Sequence, residues 1–358
     1  MREIGSEFWT RCTPSSMQYY SMRPQGIYNK YSIKETLSGR TGLEYFVELL
    51  RFQGAKRAYL PSYCCHTMVE PFISHGLDIY YYDVQVIENG FHRVINQGEY
   101  DAILLMDYFG YIDLETIEIA FREKERGRLV IYDVTHTMYS EINTEPYDYI
   151  FGSYRKWVDI NCGFLAWKGN LSKGFKFKNY NSQAFASIRK ELFDKKALYM
   201  QDGSVKKEEF LPLIEQAERI LEEQYHHKTP DKRSREVLKF IDASYIKSRR
   251  RGNAKVLTEA INEINDERVR CISPAINPSD VPLFVPVIVA PSIRNALRKY
   301  LIDHQIYCPV HWPLSDMHKL MTGSKQLFES ELSLICDQRY GADDMCRIAE
   351  TIRGFLMS

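Results

Sequence analysis

The sequence predicts an α/β fold: a mostly parallel sheet covered by helices, followed by a smaller C-terminal α+β domain. Two observations predict it. From about residue 38 to 168, short β-rich apolar runs alternate with segments whose apolar residues recur at helical spacing, and such alternation produces parallel strands with helices on both faces. After Lys168 the chain turns polar and helix-rich, and from about residue 283 strands and helices return in a different order.

The first element is a helix over Gly42–Phe52, where Leu43, Phe46, Val47 and Leu50 stand at i, i+3, i+4 and i+7 and form one apolar face. Arg57–Leu60 is a short strand ending at Pro61. A helix over His66–Ser74 closes at Gly76, and the β-rich run Ile79–Val84 follows. Then come a strand Ala102–Met106, a helix near Leu114–Arg126 and a strand Leu129–Tyr132. Strands Tyr149–Gly152 and Gly163–Trp167 bracket the most informative segment.

Beyond Lys168 the sequence offers a helix over Glu208–Glu223 and a basic run, Arg249, Arg250 and Arg251, which reads as a solvated helix face rather than a grip on phosphates. A strand Leu283–Val289, a helix Ser292–His304, a strand Ile306–Val310 and a terminal helix with Met345, Ile348 and Ile352 on one face complete the order. We divide the chain into an N-terminal segment (1–30), a large α/β domain (31–227) and a small α+β domain (228–358).

Composition narrows the function. Lysine plus arginine and aspartate plus glutamate each total 47, so no global field draws the chain to nucleic acid or an anionic membrane. No apolar run opens the sequence and no stretch is long enough to span a bilayer, which predicts a cytoplasmic protein. The eight cysteines lack CxxC or Cys/His spacing, so small core residues in a reduced compartment are expected, with no metal site.

The chemistry lies in Ile131-Tyr132-Asp133-Val134-Thr135-His136 and in Gly152-Ser153-Tyr154-Arg155-Lys156-Trp157. An aspartate closes one strand and a lysine follows the next, so in a doubly wound sheet both face the same crevice. Pyridoxal 5'-phosphate (PLP) chemistry needs that pair. A lysine amine carries the cofactor's aldehyde, and a carboxylate keeps the pyridine nitrogen protonated so that the ring accepts electrons. Taken singly, Asp133 also fits a turn or cap and Lys156 a solvated surface position. The turn Ser38-Gly39-Arg40-Thr41-Gly42 opens the first helix, and backbone N–H groups at a helix N-terminus bind phosphate; an ordinary N-cap fits the same residues.

These motifs together resemble the DegT/StrS-like family of PLP-dependent sugar aminotransferases, of fold type I. The resemblance runs from Ser38 to the terminal helix and is most specific between Ser38 and Trp167. It implies phosphate contacts from Arg40, Thr41 and Ser153, a salt bridge from Asp133 to the ring nitrogen, a contact from His136 near the phenolic oxygen, and Lys156 as the cofactor lysine. Pro61-Ser62-Tyr63 with Cys64, Cys65 and His66 resembles the loop that supplies the ring-stacking residue. That position aligns with Cys65, so neighbouring His66 is expected to serve, although a histidine satisfied by backbone groups fits as well. Tyr307-Cys308-Pro309-Val310-His311-Trp312-Pro313 resembles the family's substrate-facing loop, giving His311 and Trp312 as substrate contacts or as a proline-framed packing corner. The sequence departs from the family in its short serine-to-lysine spacing and in Asn161-Cys162-Gly163, where Gly-Glu-Gly-Gly is usual.

The resemblance implies an aminotransferase that takes an amino group from an amino-acid donor to a keto acceptor, a nucleotide-linked keto-sugar, in aminosugar or surface-polysaccharide synthesis, working as a homodimer. Other PLP chemistry, aldol-type or dehydrating, and a non-catalytic binding protein on the same fold stay open. Dehydrating relatives carry histidine in place of the lysine, so Lys156 argues against that branch.

Overall fold

An eight-stranded sheet dominates this computed structural model, which describes residues 3–9, 30–87 and 90–358. Most of the expected N-terminal segment, and Cys12, lie outside the described residues. After a short β1 (Ile4–Gly5) the elements run β2 (Ser32–Thr36), α1 (Gly39–Phe52), β3 (Arg57–Pro61), α2 (His66–Ser74), β4 (Asp78–Ile87), β5 (Gly90–Val94) and β6 (Ala102–Met106). Next come α3 (Leu114–Glu125), β7 (Leu129–Asp133), β8 (Tyr149–Ser153) and β9 (Gly163–Trp167).

The sheet order is β2-β9-β8-β7-β6-β3-β4-β5. Strands β8, β7, β6, β3 and β4 are parallel, β9 runs antiparallel between β8 and β2, and β5 pairs antiparallel with β4 at the edge. The α/β expectation holds. Ala102–Met106 and Tyr149–Ser153 are buried along their whole length, as continuous apolar strands covered on both faces must be. The sequence reading missed β2 and β5 because each alternates or carries charge: Ser-Ile-Lys-Glu-Thr and Gly-Phe-His-Arg-Val are edge strands with one polar face.

The remaining elements are α4 (Gln183–Gln201), α5 (Leu211–Gln224), α6 (Lys232–Leu238), α7 (Ala243–Asn262), β10 (Val269–Cys271) and β11 (Phe284–Val289). They continue with α8 (Pro291–Asp303), β12 (Ile306–Tyr307), α9 (Thr322–Ser330), β13 (Glu331–Ile335) and α10 (Ala342–Met357). β10, β11 and β13 form an antiparallel sheet, and β12 pairs in parallel with β1. A second apolar core gathers Leu257, Val287, Leu334 and Ile348 together with Ile4 and Trp9, so the start of the chain packs into the C-terminal core. Arg339 secures it by donating to the carbonyls of Glu7 (2.9 Å) and Ser6 (3.3 Å), and the Tyr340 hydroxyl accepts from the Gly5 N–H at 2.9 Å.

The basic run on α7 corrects the sequence expectation of a solvated face. Arg250 is buried and donates to the carbonyls of Pro282 and Leu283 and to the Gln338 side chain. Arg251 caps the carbonyls of Asn277, Pro278 and Asp280, which leaves Arg249 as the exposed member. Apart from the bond of Arg250 to Gln338, both arginines donate to backbone oxygens between residues 277 and 283, which local sequence does not announce.

The chain order reverses between β3 and β6, the place where an open sheet leaves a crevice at the C-terminal ends of its strands. Thr36, Pro61, Met106, Asp133 and Ser153 end their strands at that edge. α1 can reach it because its first turn rests directly on β8 and β9. A Cβ on Gly42 would lie 2.6 Å from the Phe164 carbonyl oxygen, and one on Gly163 would lie 2.3 Å from the Ser38 carbonyl carbon. Ser38 caps the helix, its hydroxyl accepting from the Thr41 N–H at 3.2 Å.

Gly163→Ala is therefore expected to lower stability by about 2–3 kcal/mol through overpacking. Gly252→Ala, on the exposed face of α7 with nothing near its Cβ position, should raise it by about 0.5–1 kcal/mol. Denaturant melts of both variants check the pair of opposite signs.

Candidate functional site

Asp133 ends β7 beside β8, where its backbone pairs with Phe151. The carboxylate is 3 % exposed and accepts the Thr135 N–H at 2.7 Å. Among the described residues no side-chain cation pairs with it. Burial pushes its pKa up to about 6, against the pull of the Thr135 hydrogen bonds. A buried carboxylate held this way lacks a cation, and a protonated pyridine nitrogen would complete it.

Lys156 stands in the single 3-10 turn Tyr154–Lys156 that follows β8, and it is exposed. The next residue ties this turn to the Asp133 segment: the Trp157 indole N–H donates to the Thr135 carbonyl at 2.7 Å. Gln338 holds the turn from the C-terminal part, donating to the Trp157 carbonyl at 2.6 Å. The lysine and the aspartate thus sit on neighbouring, mutually bonded loops.

The helix turn at Ser38 lies against the same strand end. A Cβ on Gly39 would touch Ser153 Cβ at 3.3 Å, so Ser153 borders the N-terminus of α1. The two side chains expected to reach a phosphate are engaged elsewhere. Arg40 pairs with Glu70 at 2.9 Å and lies over the Tyr225 ring, while the buried Thr41 hydroxyl donates to the Tyr225 carbonyl at 3.0 Å. The parts of the turn suited to an anion are its backbone N–H groups and Ser153.

His66 is the first residue of α2, next to Cys65, which caps the helix. Burial opposes ionisation of the Cys65 thiol, but hydrogen bonds from His66 and Thr67 outweigh it and draw its pKa below the ordinary range. The same bond to Cys65 raises the pKa of His66. The sequence expectation of His66 places it beside Cys65, and the Cys-His-Thr order at the helix start puts both residues in one hydrogen-bonded group.

His136 is buried, its Nδ1 accepting the Phe109 N–H at 3.1 Å, so the neutral ring carries its proton on Nε2. Burial, and then the charge of Lys156, lower its pKa to about 3. Trp312 stacks on it, with centroids 5.5 Å apart and planes 25° from parallel. His311 meets His136 edge-on at 5.5 Å, and its Nδ1 lies 2.7 Å from the Ser333 hydroxyl. Its pKa falls well below the ordinary value through burial and the charges of His136 and Lys156. Behind it, burial raises Glu331 to about 8 although Ser333 and the His311 N–H bond to it. His311 and the half-buried Trp312 are therefore gathered with His136 into one cluster, whose two histidines lie within the electrostatic reach of Lys156.

Lys156 opens onto a cavity of about 440 Å³ between the two parts of the molecule. The first residues of the chain, Ser6 to Phe8, form one wall, α5 another, and β11, α8 and the segment Tyr307–Pro309 the rest. Its size falls within the range of small-molecule sites. Among the described residues no cluster of three or more metal-ligating side chains could hold an ion, and no helix is long and apolar enough to cross a membrane.

No protein-family model and no curated protein sequence matches the chain. Solved structures do. The aminotransferase PseC of Helicobacter pylori, involved in the biosynthesis of pseudoaminic acid, superposes with a TM-score of 0.67 at 12 % identity, covering 98 % of each chain. DesI, solved in the presence of its TDP-sugar product, gives 0.63 at 14 % identity over 93 % of this chain and 82 % of its own. NtdA of Bacillus subtilis, solved with bound cofactor PMP, gives 0.60 at 14 % identity over 91 % and 74 %. The chain has the fold type I architecture of these aminotransferases.

The unpaired burial of Asp133 makes a signed prediction for the cofactor-free protein. Its carboxyl keeps its proton up to about pH 6 when folded, whereas the unfolded chain releases it near pH 4. The folded state then binds more protons, so the group's contribution to stability falls as pH rises through that window. Asp133→Asn should be more stable than wild type by about 2–3 kcal/mol at pH 8, and the difference should vanish below about pH 4. Denaturant melts across pH 3.5–8 check this.

Proposed function

We propose that the protein is a PLP-dependent aminotransferase of the DegT/StrS-like kind, moving an amino group from an amino-acid donor to a keto-sugar carried on a nucleotide. The observation that carries the reading is Asp133 buried without a cation beside a loop that presents Lys156, in the fold of solved sugar aminotransferases. The TDP-sugar product of DesI and the part of PseC in the biosynthesis of pseudoaminic acid support the sugar class, and the cofactor bound to NtdA supports PLP.

When bound, the cofactor supplies an aldehyde carbon that takes up an amino group and a ring that takes up the electrons released at the substrate carbon. The chain's residues do the rest. Asp133 holds the ring nitrogen's proton, and its desolvated setting keeps that charge pair tight. The backbone N–H groups at the start of α1, with the Ser153 hydroxyl, seat the phosphate. His136, fixed by Phe109 and stacked by Trp312, would use its Nε2–H to hold the ring's phenolic oxygen.

Lys156 would hold the cofactor through its aldehyde carbon, and its Nζ, when free, would be the group that takes up and returns a proton at the substrate carbon. Cys65 and His66 stand at the start of α2, where the family places its ring-facing residue, and Arg40 would join the phosphate only by leaving Glu70. The reading includes a cytoplasmic homodimer with its sites at the subunit interface, the large domain over 31–227 and the small one over 228–358.

The test is the visible spectrum after adding PLP to wild type and to Lys156→Ala, then borohydride reduction and peptide mapping. Wild type alone should show the cofactor band, with the reduced adduct on Lys156 and a band that an amino donor discharges. Amino transfer by Lys156→Ala would sink the assignment. A wild type that takes up no cofactor would leave a binding protein on this fold.

A further inference from the structure

The cavity in front of Lys156 has an uneven charge balance. Five cations line it, Arg155, Lys156, Arg250, Arg298 and Arg339, against three carboxylates, Glu7, Glu218 and Asp337. Three of the arginines are committed. Arg155 pairs with Glu218 at 2.6 Å and Arg339 with Asp337 at 2.7 Å. Arg250 spends its donors on two backbone carbonyls and on Gln338. Glu7 is taken by Arg189 at 2.9 Å.

Arg298 is different. It lies on α8, half-buried, and its one hydrogen bond among the described residues runs from Nε to the Cys308 carbonyl at 3.1 Å. No carboxylate among those residues comes within salt-bridge distance. The bond to Cys308 fixes one edge of the guanidinium and leaves both terminal nitrogens uncommitted. A guanidinium fork held this way matches two oxygens of a carboxylate or a phosphate, and the low-dielectric wall of Ile302, Phe284 and Ile335 strengthens such a pair.

We infer that Arg298 is the oxyanion seat of this cavity, holding a carboxylate or phosphate of the substrate whose reacting carbon is brought to Lys156. The inference rests on the aminotransfer assignment and adds to it the side chain that orients a substrate. Two sources share that chemistry: the carboxylate of the amino donor and the phosphates of the nucleotide-linked acceptor. The other arginines are held in place by the protein's own acceptors, so an incoming anion would have to break existing bonds to reach them.

The experiment is calorimetric titration of PLP-loaded wild type, Arg298→Ala and Arg298→Lys with maleate and, separately, with thymidine diphosphate. One probe should bind wild type and lose affinity by about tenfold or more in Arg298→Ala. Arg298→Lys should recover part of the loss, since it restores the charge without the fork. A loss confined to maleate assigns the donor carboxylate, and one confined to thymidine diphosphate the acceptor phosphates. With the matching substrate, Arg298→Ala should raise KM far more than it lowers kcat, a split that a merely structural lesion would not give.

Equal affinity of wild type and Arg298→Ala for both probes, or no binding of either probe to wild type, would overturn the inference. The cofactor assignment is read separately. If PLP is not taken up, the titrations are run on the cofactor-free protein and still report on Arg298; if Arg298 is not the seat, the cofactor band stays while the variants bind alike.

Discussion

The seating of the first turn of α1 on β8 and β9 is the contact on which the rest of the molecule depends. It brings the N-terminus of the helix, the end of β8 and the start of β9 within a few ångströms of one another, and it is possible because Gly39, Gly42 and Gly163 carry no side chain there. β9 is the one antiparallel strand in the middle of the sheet, and its reversal lets the chain return beneath the helix after Lys156. Were that approach wider by one methyl group, the backbone N–H groups of the turn and the Ser153 hydroxyl would no longer border the same space. The helix turn and the lysine-bearing loop are thus placed by one steric condition.

Desolvation does the electrostatic work around that seat. Asp133, His136, His311 and Glu331 are all buried, and burial is the first cause of the shift in each. The carboxyls are pushed towards their neutral forms and the imidazoles are kept neutral. Lys156 adds to burial in depressing both histidines, and Arg294 opposes burial at Glu331. Near pH 7 His136, His311 and Glu331 are thereby neutral donors and acceptors at fixed positions, while Asp133, pushed only to about 6, is ionised.

Much of this was legible in the sequence where local pattern carries the information. The parallel strands are continuous apolar runs, the helices show their faces and caps, and Asp133 and Lys156 each follow a strand that could be read from periodicity. What could not be read depends on partners far along the chain. Arg250 looked like one of a solvated trio, but its acceptors are Pro282, Leu283 and Gln338. β13 reads Glu-Leu-Ser-Leu-Ile, yet Glu331 and Ser333 are buried because His311 lies against them. Arg40 and Thr41 matched a motif by position, while their neighbours Glu70 and Tyr225 decide what they touch.

The cavity follows the same logic one level higher. Its walls come from the first residues of the chain, the turn at Lys156, α5 and the C-terminal sheet with α8, so no single stretch contains it. Glu7 is fixed by Arg189, the carbonyls of Ser6 and Glu7 by Arg339, and the Gly5 N–H by Tyr340. Each of these attachments joins the start of the chain to a residue far along it. The cavity therefore exists only when the N-terminal segment is seated on the C-terminal core, and anything that binds within it draws on the stability of both. Ser6, Glu7 and Phe8 line the space in front of Lys156, so the contacts that hold the start of the chain down also shape that space.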